Sequence, residues 1–316
     1  MKFLVTKFLV ATLLLVLAAT CVADTAGTQL LSLGRLNEAL SVLSSRDDAE
    51  SLNLRSRAYF AMEQWDDAVK YGERAVSLEP GNANYHLWLA REYGRKAGDS
   101  NPLVAAGLAR KAKNEFERAV QLDPASVPAR VDLAQYYTEA PAIMGGGLDK
   151  AREQAEQVAK YDLAKAHLVL ARVAEKEKQY GEAESQLRAG IKDAKNPADA
   201  WLQLAAFYRN RGRLDDMQNA VRSAVTEPGK PAESYFDAGK ELYLGSRDFA
   251  GAAEYLQKYL SSGQLVEGAP AFRAHYLIGQ LDEKMGNRQA AVSEYQASLS
   301  LASGFVPARK ALNHVQ

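Results

Sequence analysis

Small and large apolar positions recur along this chain with a period near 34 residues. The pattern is clearest around Trp201, Leu204, Ala205 and Tyr208, which share one face of a helix and are followed by Gly212, where the chain turns. Ala112, Phe116, Ala119, Leu122 and Pro124 mark the following helix of a second unit, whose first helix carries His86, Leu89, Ala90 and Tyr93. Units in the same phase hold Tyr59, Trp65, Ala68, Ala75 and Pro80; Leu133, Ala134, Tyr137 and Ala151; and Leu170, Ala171, Tyr180 and Ala183. Gly239, Phe249 and Ala252, then Gly279, Gly286, Ala291 and Tyr295, continue the series, and a weaker unit begins it with Gly27, Leu30, Gly34, Ala39 and Leu43. Gly or Ala at fixed places lets two antiparallel helices approach closely, while Tyr, Phe and Leu fill the space between neighbouring pairs. Each pair leaves one apolar side bare, so the pattern predicts stacked pairs, not isolated ones.

The combination W-x2-L-G/A-x2-Y, A-x3-F and a closing Pro resembles the tetratricopeptide repeat family, in particular bacterial exported members. The resemblance implies an all-α, right-handed superhelical solenoid of about eight repeats between Asp24 and Leu301. Residues 302–316 form a C-terminal capping helix, with Val306, Ala308, Ala311 and Leu312 toward the last repeat and Arg309, Lys310 and Asn313 toward water. Ala183 is placed where its helix meets its partner, and Glu184 on the polar face. Two neighbouring repeats carry extra residues between their helices, about ten in 94–106 and about five in 138–145, which by their equal phase emerge on one edge of the solenoid.

Ahead of Asp24 the chain has the layout of a signal peptide, residues 1–23: Lys2 and Lys7, an apolar run from Phe8 to Ala19, then small residues. That run is too short to span a bilayer, which takes about 20 residues. The expectation is export, most naturally to a periplasm, with a lipid-bearing Cys21 as the rival outcome. Cys21 is the one cysteine, so a chain starting at Asp24 cannot form a disulfide and is held by packing alone. Removing Lys2 and Lys7 from 39 basic residues leaves 37 against 39 acidic ones, about −2, which does not suggest nucleic acid as a partner.

His86, His167 and His275 share one repeat phase with Trp201 and Tyr235, which marks them as packing residues and not a metal or catalytic cluster. Acidic residues form no recognisable acid–base pair, and no cofactor is indicated. Gly145-Gly146-Gly147 with Lys150 lacks the Gly-Lys-Ser/Thr of a phosphate loop and follows a helix, so a tight turn is the expectation. An envelope enzyme or accessory subunit with its site at this loop is the alternative function.

The leading function is a scaffold that is not an enzyme and that binds a protein or peptide. The resemblance places Arg57, Arg91, Arg172 and Lys240, with Ala206 and Arg209 between them, along the concave face of the first helices. Leu168, Leu202, Phe236 and Tyr276, one turn earlier, make an apolar floor. Such a groove suits an acidic partner, unless the cations merely balance neighbouring acids such as Glu92, Glu175 and Glu241. The edge bearing Asn101, Pro102, Pro141 and Met144 is the second candidate surface.

Overall fold

A computed structural model describes residues 25–316; the leader and Cys21 lie outside the described residues. Residues 25–32 are helical (α1) and pair with α2 (Leu36–Leu43). The chain continues with α3 (Ala49–Ala61), α4 (Trp65–Leu78), α5 (Ala83–Gly98), α6 (Pro102–Leu122), α7 (Val127–Glu139), a 3-10 turn η1 (Ala142–Met144) and α8 (Leu148–Val158). Then follow α9 (Leu163–Lys176), α10 (Tyr180–Asp193), α11 (Ala198–Asn210), α12 (Leu214–Thr226), α13 (Glu233–Leu244), α14 (Phe249–Ser261), α15 (Ala271–Lys284), α16 (Arg288–Leu301) and α17 (Val306–Val315). The fold is an all-helical solenoid of antiparallel pairs.

Each first helix packs against its own second helix, and first helices of successive pairs also touch, as α7 does α9 and α11 does α13. That places the first helices on the inside of the curve. The small residues sit where helices come closest. A Cβ on Gly239 would stand 2.8 Å from the Ala252 carbonyl oxygen and 2.7 Å from Leu256 Cγ, so α13 and α14 could not close over a larger residue.

Ala183 is likewise wholly buried, in the core that joins α9–α10 to α11–α14. Ala183→Leu should overpack this contact and lower stability by about 1 to 3 kcal/mol in urea unfolding. Lys192→Gln, exposed on the same helix, is the matched change expected to do nothing measurable. Glu184 cannot serve as that control, contrary to its expected place on an inert polar face. It accepts hydrogen bonds from Tyr208 Oη at 2.7 Å, Arg188 at 2.9 Å and Arg213 at 2.6 Å, which tie this repeat to the next. Burial alone would raise its pKa, but these donors outweigh it and hold the carboxyl at about 2.

The extra residues of 94–106 form no loop. They lengthen both helices of the pair, α5 to 16 residues and α6 to 21, so that the hairpin projects past its neighbours. The turn between them is short because Asn101 caps α6, accepting from Val104 N at 3.2 Å, and Pro102 occupies the first helical position. The second insertion is a compact loop around η1 that packs on α6, so the two do lie side by side.

The superhelix closes on itself. Leu31, Leu36, Leu54, Ala58 and Met62 of the first two pairs share one buried cluster with Phe272, Ala302, Phe305 and Ala308 near the C-terminus. Around it, Asn37 Nδ2 donates to Ser300 O at 2.9 Å, and Asn37 Oδ1 accepts from Ser303 N at 2.9 Å. Gln64 Nε2 donates to Gly304 O at 3.0 Å, and Arg273 donates to Ala61 O at 2.9 Å and Glu63 at 3.0 Å. Gly34 shows how tight this seam is: its φ is +71°, and a Cβ there would lie 2.6 Å from Ala271 N. Turns of the first two pairs thus meet the start of α15 and the end of α16, one edge of the coil stacking on the other.

The final helix α17 packs on α16 and also borders the seam. Ala308 is buried, Ala311 and Leu312 are half-buried, and Arg309, Lys310 and Asn313 are exposed. Val306, expected to cover the last repeat, is instead 47% exposed, because the helix turns Ala308 and Val315 inward.

Candidate functional site

All five cations of the expected groove lie on first helices, and nearly all meet acids. Arg91 Nε donates to Asp132 at 2.6 Å and Arg209 Nε to Glu241 at 2.8 Å. Lys240 pairs with Asp237 on its own helix, and Arg57 forms a two-point ion pair with Glu267. Arg172 reaches Gln135 Oε1 at 3.3 Å and sits beside Glu175, whose pKa is raised by burial and pulled back in part by Arg172. The strip is therefore a chain of matched charges and not a row of free cations.

The apolar floor also differs from expectation. Leu202 and Phe236 are 5% and 4% exposed and belong to the packing core, since a residue one turn before the groove position points between adjacent helices. Leu168 is only partly buried, and Tyr276 packs its ring against Phe305 at 5.2 Å and Tyr295 at 5.8 Å.

An open cleft exists elsewhere on the inner surface. It is a hollow of about 600 Å³ bordered by α5, α6, α7 and the η1 loop, and lined by Phe60, Trp88, Arg91, Arg95, Phe116, Asp132, Tyr136, Glu139, Pro141 and Met144. The groove and the inserted edge, separate in the sequence, converge here: Arg91 comes from the first and Pro141 and Met144 from the second. Trp88 is the centre of the wall. Guanidinium carbons of Arg57 and Arg91 stand 5.0 and 4.9 Å from its ring centroid, and Phe60 meets it edge-on at 5.7 Å. Arg95, one helical turn beyond Arg91, is exposed and makes no ion pair or hydrogen bond among the described residues. Tyr136 Oη donates to Met144 O at 2.8 Å and fixes the loop on that side. Asn101 and Pro102 do not line the cleft; they start α6 at the far tip of the hairpin. A smaller hollow of about 260 Å³ lies between the turns near Leu163 and Asn196, where Lys165 already pairs with Asp199 at 2.5 Å.

The Gly-rich loop folds onto itself. Gly145 N donates to Ala142 O at 2.9 Å, Gly146 N to Pro141 O at 3.2 Å and Gly147 N to Tyr137 O at 2.8 Å. These amides are engaged within the loop and do not converge on an outside anion. Lys150 Nζ turns back to Gly145 O at 3.1 Å. The histidines of shared phase reach the second helix of their own pair: His86 meets Glu115, His167 meets Gln186 at 2.7 Å and His275 meets Glu294 at 2.7 Å. Among the described residues no group of three potential metal ligands comes together, and no helix is long and apolar enough to cross a membrane.

Residues 49–82 and 272–305 each match the tetratricopeptide repeat. The chain carries tetratricopeptide repeats. The two matched repeats are those that face each other across the seam. The chain is 24% identical over 276 residues to tetratricopeptide repeat protein 37 of Xenopus laevis, a match that covers 85% of this chain and 17% of that relative's length. Among solved structures it is similar to a thermophilic TPR protein of Thermus thermophilus, with a TM-score of 0.49, 20% identity, 58% of this chain covered and 96% of that one. It is also similar to the APC/C hetero-tetramer Cut9-Hcn1, with a TM-score of 0.40, 16% identity, 89% of this chain covered and 59% of that one. Tetratricopeptide repeats bind proteins or peptides, and proteins built from them generally act as interaction scaffolds.

Proposed function

We propose that this protein is an exported scaffold that holds a protein or peptide partner in the cleft between α5, α6, α7 and the η1 loop. The convergence of groove and edge carries this reading. A concave surface with Trp, Tyr, Phe and Met walls and a few charged groups has the composition of a binding hot spot, whereas the rest of the groove is occupied by its own ion pairs. Trp88 is the anchor, because it is half-buried, lines the cleft and has two guanidiniums close to its ring.

The test is capture from envelope extract with the mature chain and with Trp88→Ala, after circular dichroism has shown equal helicity. A stoichiometric partner should bind the variant about 30-fold or more weakly, the loss of about 2 kcal/mol typical of a hot-spot Trp. Equal recovery by the two proteins would refute the cleft. Export rests on Lys2, Lys7 and the apolar run from Phe8 to Ala19. Sequencing the N-terminus of the protein recovered outside the cytoplasm should give Asp24, and an acylated Cys21 would instead establish a lipid anchor.

A further inference from the structure

Arg57 differs from the other groove cations in where its counter-ion comes from. Arg91, Arg209 and Lys240 pair with acids on first helices, so their partners are part of the groove surface. The partner of Arg57 is Glu267, 210 residues away, carried on the turn between α14 and α15. Tyr259 builds that turn from beneath: its hydroxyl accepts from Val266 N at 2.9 Å and donates to Ala269 O at 2.6 Å, and Val266 bridges Ala269. Glu267 stands at the tip and presents both carboxylate oxygens to one edge of the Arg57 guanidinium, Oε1 to Nε and Oε2 to Nη2. A fork-to-fork pair of this kind is the geometry by which Arg recognises a carboxylate on a separate chain.

We propose that Glu267 is an internal ligand of the cleft, and that an acidic segment of the partner exchanges with it at Arg57. The inference rests on the cleft being the partner site. Three observations define the chemistry of the incoming segment. Arg57 and Arg91 flank the same Trp88 ring at 5.0 and 4.9 Å, so a carboxylate at Arg57 lies directly beside the cleft wall. Arg91 hydrogen-bonds Asp132 through Nε and not through its terminal nitrogens. Arg95 extends the same face by one turn with no counter-ion among the described residues. A chain with several carboxylates can thus satisfy Arg57 and Arg95 together, whereas Glu267 satisfies Arg57 alone. The pair it must displace is partly exposed, with side chains 17% and 21% accessible, so solvent moderates its strength.

Binding of fluorescein-labelled hexaglutamate to the full chain, followed by anisotropy at low and high salt, tests the exchange. Glu267→Gln, and equally Glu267→Ala, should bind the peptide at least tenfold more tightly than wild type, and salt should weaken the complex. Adding Arg57→Gln to either variant should abolish the gain. No gain on removing the Glu267 charge, or a gain that survives loss of the Arg57 charge, would overturn the internal ligand. If Trp88→Ala still releases the captured partner while Glu267→Gln leaves peptide affinity unchanged, the exchange is refuted and the cleft stands. Retention of the partner by Trp88→Ala refutes the cleft itself.

Discussion

Glu92→Gln should stabilise the protein at pH 8 and flatten its stability between pH 5 and 8. Glu92 occupies the groove-side phase that Val173, Phe207 and Leu281 fill in other repeats, and it is wholly buried. Ser56 Oγ donates to Oε1, whereas Oε2 has no hydrogen-bond partner. Gly72 makes the room, since a Cβ there would run into the carboxyl. Burial, against the smaller opposing effect of the Ser56 hydrogen bond, pushes the pKa from 4.5 up to about 8. The sign follows from proton uptake. Below about pH 4.5 both folded and unfolded chains hold the proton, and the stability at this site is fully present. As pH rises toward 8 the unfolded chain releases its proton while the folded chain keeps it, so stability falls by up to about 1.4 kcal/mol per pH unit. Above about pH 8 the loss is complete. Gln fills the same volume and cannot ionise. Urea unfolding of both proteins from about pH 5 to 8.5 should show curves that diverge with rising pH, and parallel curves would mean that Glu92 is not held neutral.

The all-helical solenoid is legible in the sequence because helix contact needs a small residue at fixed spacing, and that demand writes itself into Ala90, Ala134, Ala171, Ala205, Gly239 and Gly279. The lengthened α5–α6 hairpin reads as a loop because Gly94 and Gly98 look like breakers. Neither has a neighbour that a Cβ would touch, so each costs the helix only about 1 kcal/mol relative to Ala. The better signal is Asn101-Pro102, a helix cap followed by a first-turn proline. Charge in the groove misleads for a similar reason. One phase of the repeat yields Arg57, Arg91, Arg172 and Lys240, but Asp132, Asp237 and Glu241 belong to other phases of the same inner surface. The cleft needs two pieces that no single repeat contains, Trp88 from one pair and Pro141 with Met144 from the next. Closure leaves no local trace at all. It depends on small rotations summed over every repeat, and only the sum brings Glu267 to Arg57 or Ser303 to Asn37.

Phe305→Ala should cost about 3 to 5 kcal/mol, the range for deleting a buried Phe, and should open the coil. The ring is 1% exposed and meets Phe272 at 5.0 Å and Tyr276 at 5.2 Å, both close to edge-on, in the cluster that joins the last repeat to the first two. In an open solenoid each pair depends only on its neighbours, so damage at one end frays that end. Here the seam adds contacts between residues 210 apart, as in Arg57–Glu267 and Arg273–Glu63, which couple the two ends and make their loss cooperative. The polar bonds that remain after the ring is gone, from Asn37, Gln64 and Arg273, are each worth roughly 1 kcal/mol and do not replace the lost apolar contact. The radius of gyration from small-angle scattering should therefore rise, and amides of α3 and α15 should exchange faster while those of α9 to α12 keep their protection. Val306→Ala, at the next position and 47% exposed, should change none of these by a measurable amount. A loss of stability with unchanged dimensions would show that Phe305 packs only within its own repeat and that the seam does not hold the coil closed.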